Sequence, residues 1–215
     1  MGNEKLVKET FERTGDPRLY EVARWREEEL DMPLWHRRTA HMISLLERYL
    51  SAHGEANAEA DEPQRLLELG CGAMAAERML SAGGLAHLEY LPSDCFARDH
   101  RTLVLDLNDP DFVAHVPEVT VVLIGGVLEY LDEPERVLRA LAGRTRTLFF
   151  SYCPRMPDQD ERSRRGWKNH LTEDEMRALA HSLGSDLCVD DTFDREAKKP
   201  VRTYFVRVPD TTDPA

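Results

Sequence analysis

From residue 65 onward, short apolar runs alternate with longer amphipathic stretches. The runs at 65–69, 87–91, 102–105, 120–124 and 147–151 are four or five residues long and rich in Leu, Val, Ile and Phe. Such runs predict strands buried on both faces. Segments of helical period lie between several of them, at 75–82, 134–141 and 173–183. Two last runs, 187–191 and 203–208, have no long helix between them and are expected to pair as an antiparallel hairpin. Strands alternating with helices predict a mostly parallel sheet covered on both faces.

The first third of the chain has a different texture. Leu6, Val7 and Phe11 punctuate a charged helical stretch, and Leu19, Val22, Ala23 and Arg26 share one face of a second. A third begins with Pro33, a residue suited to the first helical turn, and carries Leu34, Ile43, Leu45, Leu46 and Leu50. Residues 51–63 (SAHGEANAEADEP) are small and polar and read as a linker. The expected organisation is a helical N-terminal extension over 1–60, placed as a cap, with a fixed helical layer over the sheet or a dimer contact as the alternative, and an α/β domain over 61–215.

Charge narrows the partners. The 215 residues carry a formal net charge of −12, the wrong sign for gripping nucleic-acid phosphates. One basic run, RSRRGWK at 162–168, reads as a solvated loop. No apolar run reaches membrane-span length, and the charged N-terminus lacks a secretory apolar segment. Cys71, Cys95, Cys153 and Cys188 form no C-x-x-C pair and are expected as reduced thiols, with no metal site, in a cytoplasmic protein.

The candidate chemistry sits where strands end. RLLELGCGAM (65–74) runs from a strand through Gly70 and Gly72 into a helix. In open parallel sheets ligands bind beyond the carboxyl ends of the strands. Glycines there let the backbone come close to a ligand, and a helix start adds free N–H donors. Asp94 ends the second strand, where an acid accepts hydrogen bonds from ribose hydroxyls in nucleotide-binding folds. Asp106 ends the third. The fourth runs into Gly125-Gly126 and then DEP at 132–134. No polyphosphate loop of the G-x-x-x-x-G-K-[ST] kind is present.

These segments resemble the class I S-adenosylmethionine-dependent methyltransferases, from about residue 65 to 208. ELGCG resembles the first motif of that family, YLPSD the end of its second strand, LDLND its third, and VLIGGVLEYLDEPERVL its fourth strand and following helix. The resemblance implies a Rossmann-like three-layer α/β/α sandwich with a mostly parallel seven-stranded sheet whose last strand is antiparallel. It implies S-adenosylmethionine as cofactor, held by Glu68, Gly70, Cys71, Gly72, Asp94 at the ribose, Asp106 at the adenine amino group, Leu107 against the ring, and Gly125. Met74 stands where the family usually has a third glycine.

The implied activity is methyl transfer to an oxygen or nitrogen of a small molecule, of the kind that secondary metabolism uses. Its partner is a small acceptor, without nucleic acid or membrane, and a homodimer is allowed. His170 and Tyr130 are the candidates for acid–base work. His36, Trp35, Tyr152 and Trp167 are the candidate acceptor contacts, with His41 and Trp25 further off. The competing reading of His170 is that it only precedes a helix capped by Thr172 and Glu175. Two alternatives share the fold: transfer of the aminocarboxypropyl group or cyclisation of the cofactor, and a non-catalytic binding subunit.

Overall fold

The computed structural model describes residues 33–53, 64–156, 166–184, 186–193 and 200–209, with side chains from residue 36. The expected helices before residue 33, Trp25, and most of the linker and basic run lie outside the described residues.

The elements match the hydrophobic pattern closely. In chain order they are α1 (Pro33–Ala52), β1 (Arg65–Leu69), α2 (Ala75–Ala82), β2 (Glu89–Asp94), β3 (Leu103–Val104), β4 (Val119–Ile124), α3 (Pro134–Ala142), β5 (Thr145–Tyr152), α4 (Glu173–Leu183), β6 (Asp186–Asp190) and β7 (Arg202–Arg207). Short 3₁₀ turns occupy Phe112–His115 and Leu128–Tyr130. Seven strands form one sheet in the order β3-β2-β1-β4-β5-β7-β6. The first five are parallel, and β7 runs antiparallel between β5 and β6. The expected hairpin of the last two runs is therefore present. Strand β2 begins later than its apolar run, because its register sets Arg65 opposite Glu89 and carries the strand on to Asp94.

Both faces of the sheet are buried, and period-two alternation divides the core. Leu66, Val121, Leu123, Phe149 and Phe205 face one side, with α1, Ala76 and Leu80 of α2 packed on them. Leu67, Leu69, Val122, Ile124, Leu148, Phe150, Tyr204 and Val206 face the other, against α3 and α4. Helix α1 contributes Met42, Ile43, Leu45, Leu46, Tyr49 and Leu50, one stripe at helical spacing. Tyr49 stacks on Phe205 and Phe205 on Phe149, at centroid distances of 4.1 and 4.0 Å. So the part of the N-terminal segment from Pro33 to Ala52 is a fixed layer of the α/β sandwich. Its C-terminal half faces the core, and its first turns reach the end of the sheet where the strands β1 and β4 stop.

The chain leaves β1, adds β2 and β3 on one side, and returns to lay β4 on the other. This reversal opens a crevice between the carboxyl ends of β1 and β4. Among the described residues no helix is long and apolar enough to cross a membrane.

Truncating Leu46, fully buried in the α1 layer, tests whether that layer is integral. Leu46→Ala is expected to cost about 3 kcal/mol, read as a lower urea midpoint of one cooperative transition. A loss below about 1 kcal/mol would mean that α1 detaches without unfolding the sheet.

Candidate active site

A cavity of about 870 Å³ lies over that crevice. Glu68, Gly70, Cys71, Gly72, Asp94, Asp106, Leu107 and Gly125 all line it, as do His36 and Tyr130.

The loop after β1 is shaped by left-handed backbone. Gly70 has φ 73°, Gly72 φ 49° and Met74 φ 52°. At Gly70 a Cβ would also collide with Cγ2 of Val127, so a side chain cannot fit between the ends of β1 and β4. Met74 is the only non-glycine with positive φ among the described residues. It occupies the N-cap of α2 with no side-chain cap. The missing third glycine is thus met by a methionine held in the glycine's conformation, at a steric cost.

Asp94 is buried and heavily engaged. Its Oδ2 accepts the Gly72 N–H at 3.0 Å. Its Oδ1 accepts Arg98 Nη2 at 3.1 Å, Phe96 N at 3.3 Å and the Cys95 thiol at 3.3 Å. One lone pair on Oδ2 is left for a ligand. Asp106 is exposed in the lining; its Oδ1 accepts the Asn108 N–H at 2.9 Å, and among the described residues Oδ2 makes no hydrogen bond. Leu107 is buried beside it.

Glu68 receives the Tyr90 hydroxyl on Oε2. Burial pushes its carboxyl up to about 8, only partly offset by that bond and by the Arg38 charge. Burial likewise raises the Cys71 thiol, and pushes that of Cys95 up to about 12. Both thiols therefore stay protonated near neutral pH, which removes them as nucleophiles. All four cysteines are free.

Three expected site residues are placed elsewhere. His170 is exposed and outside the cavity lining. Trp167 is half-buried and also outside it. Tyr152 is fully buried: its hydroxyl donates to Asn169 Oδ1 at 2.6 Å and accepts from the Leu171 N–H at 3.0 Å. Asn169 in turn donates to the carbonyls of Leu128 and Leu131 at 2.6 and 3.0 Å. Tyr152 is thus a strut holding the segment before α4 against the turn after β4. The expected cap is present on α4, where Thr172 and Glu175 form a reciprocal capping box. His41 pairs with Asp190 at 2.9 Å, tying α1 to β6 outside the cavity. Trp35 lies in the first turn of α1, where side chains are not described.

The cavity also holds cations that the motifs did not point to. Arg98 pairs with Asp94, and Lys168 with Asp132 at 3.3 Å. Arg38 donates from Nη2 to the Gly125 carbonyl at 3.0 Å. Its guanidinium lies where a Cβ of Gly126 would be, and Gly126 itself takes φ 70°, a backbone conformation that favours glycine. Arg38 was legible in principle. It stands one turn before Met42 on the apolar stripe of α1, where a charged residue needs a reason.

No protein-family model matches the chain, and no curated protein matches it in sequence. Solved structures do match it in three dimensions. The plantazolicin methyltransferase BamL, in complex with a triazolic desmethylPZN analog and SAH, superimposes with a TM-score of 0.60 at 13% identity over 96% of each chain. The N-terminal domain of EvdMO1 with SAH bound gives 0.51 at 17% identity, over 75% of this chain and 80% of that one. The CurJ carbon methyltransferase gives 0.52 at 14% identity over 71% of this chain, which spans half the length of that one. The chain shares the Rossmann-like α/β fold of these methyltransferase structures.

The loop residues make two outcomes measurable. Below about pH 4.5 Glu68 is protonated folded or unfolded; between there and about 8 only the folded state keeps the proton. Its contribution to stability is therefore complete below the window, falls as pH rises through it, and levels off above it. The stability difference between wild type and Glu68→Gln should change by roughly 1.4 kcal/mol per pH unit inside the window, in urea titrations at pH 5, 6, 7 and 8. Parallel curves would show that Glu68 ionises normally. Separately, Met74→Gly relieves the left-handed methionine and should stabilise the fold by about 1 kcal/mol, seen as a raised urea midpoint.

Proposed function

We propose that this protein is an S-adenosylmethionine-dependent methyltransferase acting on an oxygen or nitrogen atom of a small molecule. The observation that carries the reading is the convergence of three adjacent strand ends on one cavity: the Gly70–Met74 loop after β1, Asp94 at the end of β2, and Asp106-Leu107 after β3. The donor set suits this cofactor. Asp94 Oδ2 would be the acceptor for a ribose hydroxyl and Asp106 Oδ2 for an amino group, and Leu107 would supply an apolar face for a purine. The glycines leave the loop narrow enough for an amino acid end to pass. A polyphosphate would instead face Asp94, Asp106, Asp109 and Asp132.

When bound, S-adenosylmethionine supplies an electrophilic methyl carbon on a cationic sulfur. The residues of this chain have to align an acceptor with that carbon and keep water out. His36, Arg38 and Thr39 close the cavity from α1, and Tyr130 from the turn after β4. This supports a capping role for the start of the helical segment. Tyr130 and His36 are the groups there able to take a proton from an oxygen or nitrogen acceptor as its bond forms. The cavity volume and the net charge of −12 favour a small acceptor over a nucleic acid. BamL, crystallised with a triazolic desmethylPZN analog and SAH, is a structural neighbour in line with this reading.

Calorimetric titration tests the proposal. Wild-type protein is expected to bind S-adenosylmethionine and S-adenosylhomocysteine in the micromolar range. Asp94→Ala, with its fold confirmed by circular dichroism, should weaken both at least about tenfold, or 1.4 kcal/mol. Absence of binding to either by well-folded wild type would overturn the enzyme reading.

A further inference from the structure

The loop that carries Asp106 and Leu107 has little sheet to hold it. Strand β3 is two residues long, lies at the sheet edge, and pairs with β2 only at Leu103 and Val104. The Leu105 N–H still reaches the Asp94 carbonyl at 2.9 Å, and there the ladder ends. Residues 106–110 then run along the cavity, which all five line. Holding a side chain in one place on such a loop costs conformational entropy unless other groups fix the backbone.

Arg136 does this from outside the cavity, which it does not itself line. Its Nη2 donates to the carbonyls of Leu107 and Asn108 at 3.0 and 3.2 Å. Its Nη1 donates to that of Asp109 at 3.3 Å, with the Pro110 carbonyl at 3.5 Å. Four consecutive carbonyls thus converge on one guanidinium, whose planar fork has the donors to serve them; an ammonium is a single point. Nε pairs with the exposed Glu133 at 3.2 Å, a solvent-screened contact that leaves both Nη groups for the loop. Cζ lies 5.7 Å from the centroid of the buried Phe112 ring. The base of the arginine is rigid, because it stands in the first turn of α3, whose Val137, Leu138 and Leu141 are fully buried.

A second tie comes from the same place. The Asp132 N–H donates to Asn108 Oδ1 at 3.0 Å, and the Asn108 N–H donates to Asp106 Oδ1 at 2.9 Å. The start of α3 therefore fixes the loop backbone and one oxygen of Asp106, and leaves Oδ2 for a ligand. A carboxylate held in place accepts a 6-amino group of a purine and opposes a 6-oxo group; one that can draw back distinguishes them poorly.

We propose that Arg136 is the positioning residue for base recognition in this cavity. By holding residues 107–110 it fixes Asp106 and sets a preference for a 6-amino over a 6-oxo purine. This inference rests on the cofactor reading, and the test keeps the two apart.

Wild type, Arg136→Met and Arg136→Lys are compared in two ways. Methionine keeps apolar bulk beside Phe112 and removes the donors. Hydrogen exchange on the ligand-free proteins reads the loop directly: in Arg136→Met the amides of 107–112 should exchange at least about tenfold faster, with β4 and β5 unchanged and Arg136→Lys between. Calorimetry with S-adenosylhomocysteine and S-inosylhomocysteine, which differ only at the 6-position of the base, reads recognition. Wild type should prefer the adenine compound at least about tenfold, and Arg136→Met should bring the two within about twofold, chiefly by weakening the adenine compound. Unchanged loop exchange would overturn the proposal. So would faster exchange with the preference intact, which marks a merely structural residue, or a wild type that binds both compounds alike. Thermal melts check folding, and Arg136→Lys decides both readings if Arg136→Met does not fold. Wild type that binds neither compound would fail the cofactor reading instead, and loop exchange alone then decides whether Arg136 holds the loop.

Discussion

The ends of β1 and β4 meet at Gly70 and Val127, with no room for a side chain between them. That contact sets the geometry of everything above it. The loop after β1 follows in left-handed backbone, turns the chain into α2 and sets the Gly72 N–H on Asp94. Asp94 is thereby locked to the loop, and Arg98 and the start of the next connection are locked to Asp94. The same close approach carries Gly125 and Gly126 under the first turns of α1, where Arg38 fills the space that a side chain at Gly126 would take. Because the strand order reverses between β1 and β4, no helix crosses this spot, and a cavity remains.

The charges around that cavity are arranged in unequal ways. Asp94–Arg98 and Asp132–Lys168 are matched pairs, whose geometry is set by the fold itself. Burial at the end of β1 keeps the proton on Glu68, against the Tyr90 hydroxyl, whose donation favours the ionised form. Arg38 makes no ion pair among the described residues, and burial draws its pKa down against the pull of Glu129, Tyr130 and Glu68.

The layer of α1 links the two halves of this picture. Its buried stripe binds it to the sheet through Leu46, Leu50 and the Tyr49–Phe205–Phe149 stack. The same stripe, continued one turn toward the N-terminus, ends in Arg38. Packing energy in the core thus positions a polar group in the site, so the segment that reads as a separate extension is joined to the sheet by the same helix face that serves the cavity.

Local pattern by itself determined most of the framework. Short apolar runs bounded by polar turns specify strands, and helical periodicity between them specifies the covering layers; both depend only on neighbours in sequence. The glycine loop, Asp94 and Asp106 were legible for the same reason, since each belongs to the end of a strand. What only the tertiary structure decided depends on which distant segments meet. Tyr152 lies at a strand end just as Asp94 does, yet its side chain turns inward to Asn169 and becomes a support. His170 stands beside a cap and faces solvent, because the capping box at Thr172 orients the segment. Arg38 enters the site from a helix separated from Gly125 by 87 positions, and no periodicity within α1 specifies the strand end that it will meet.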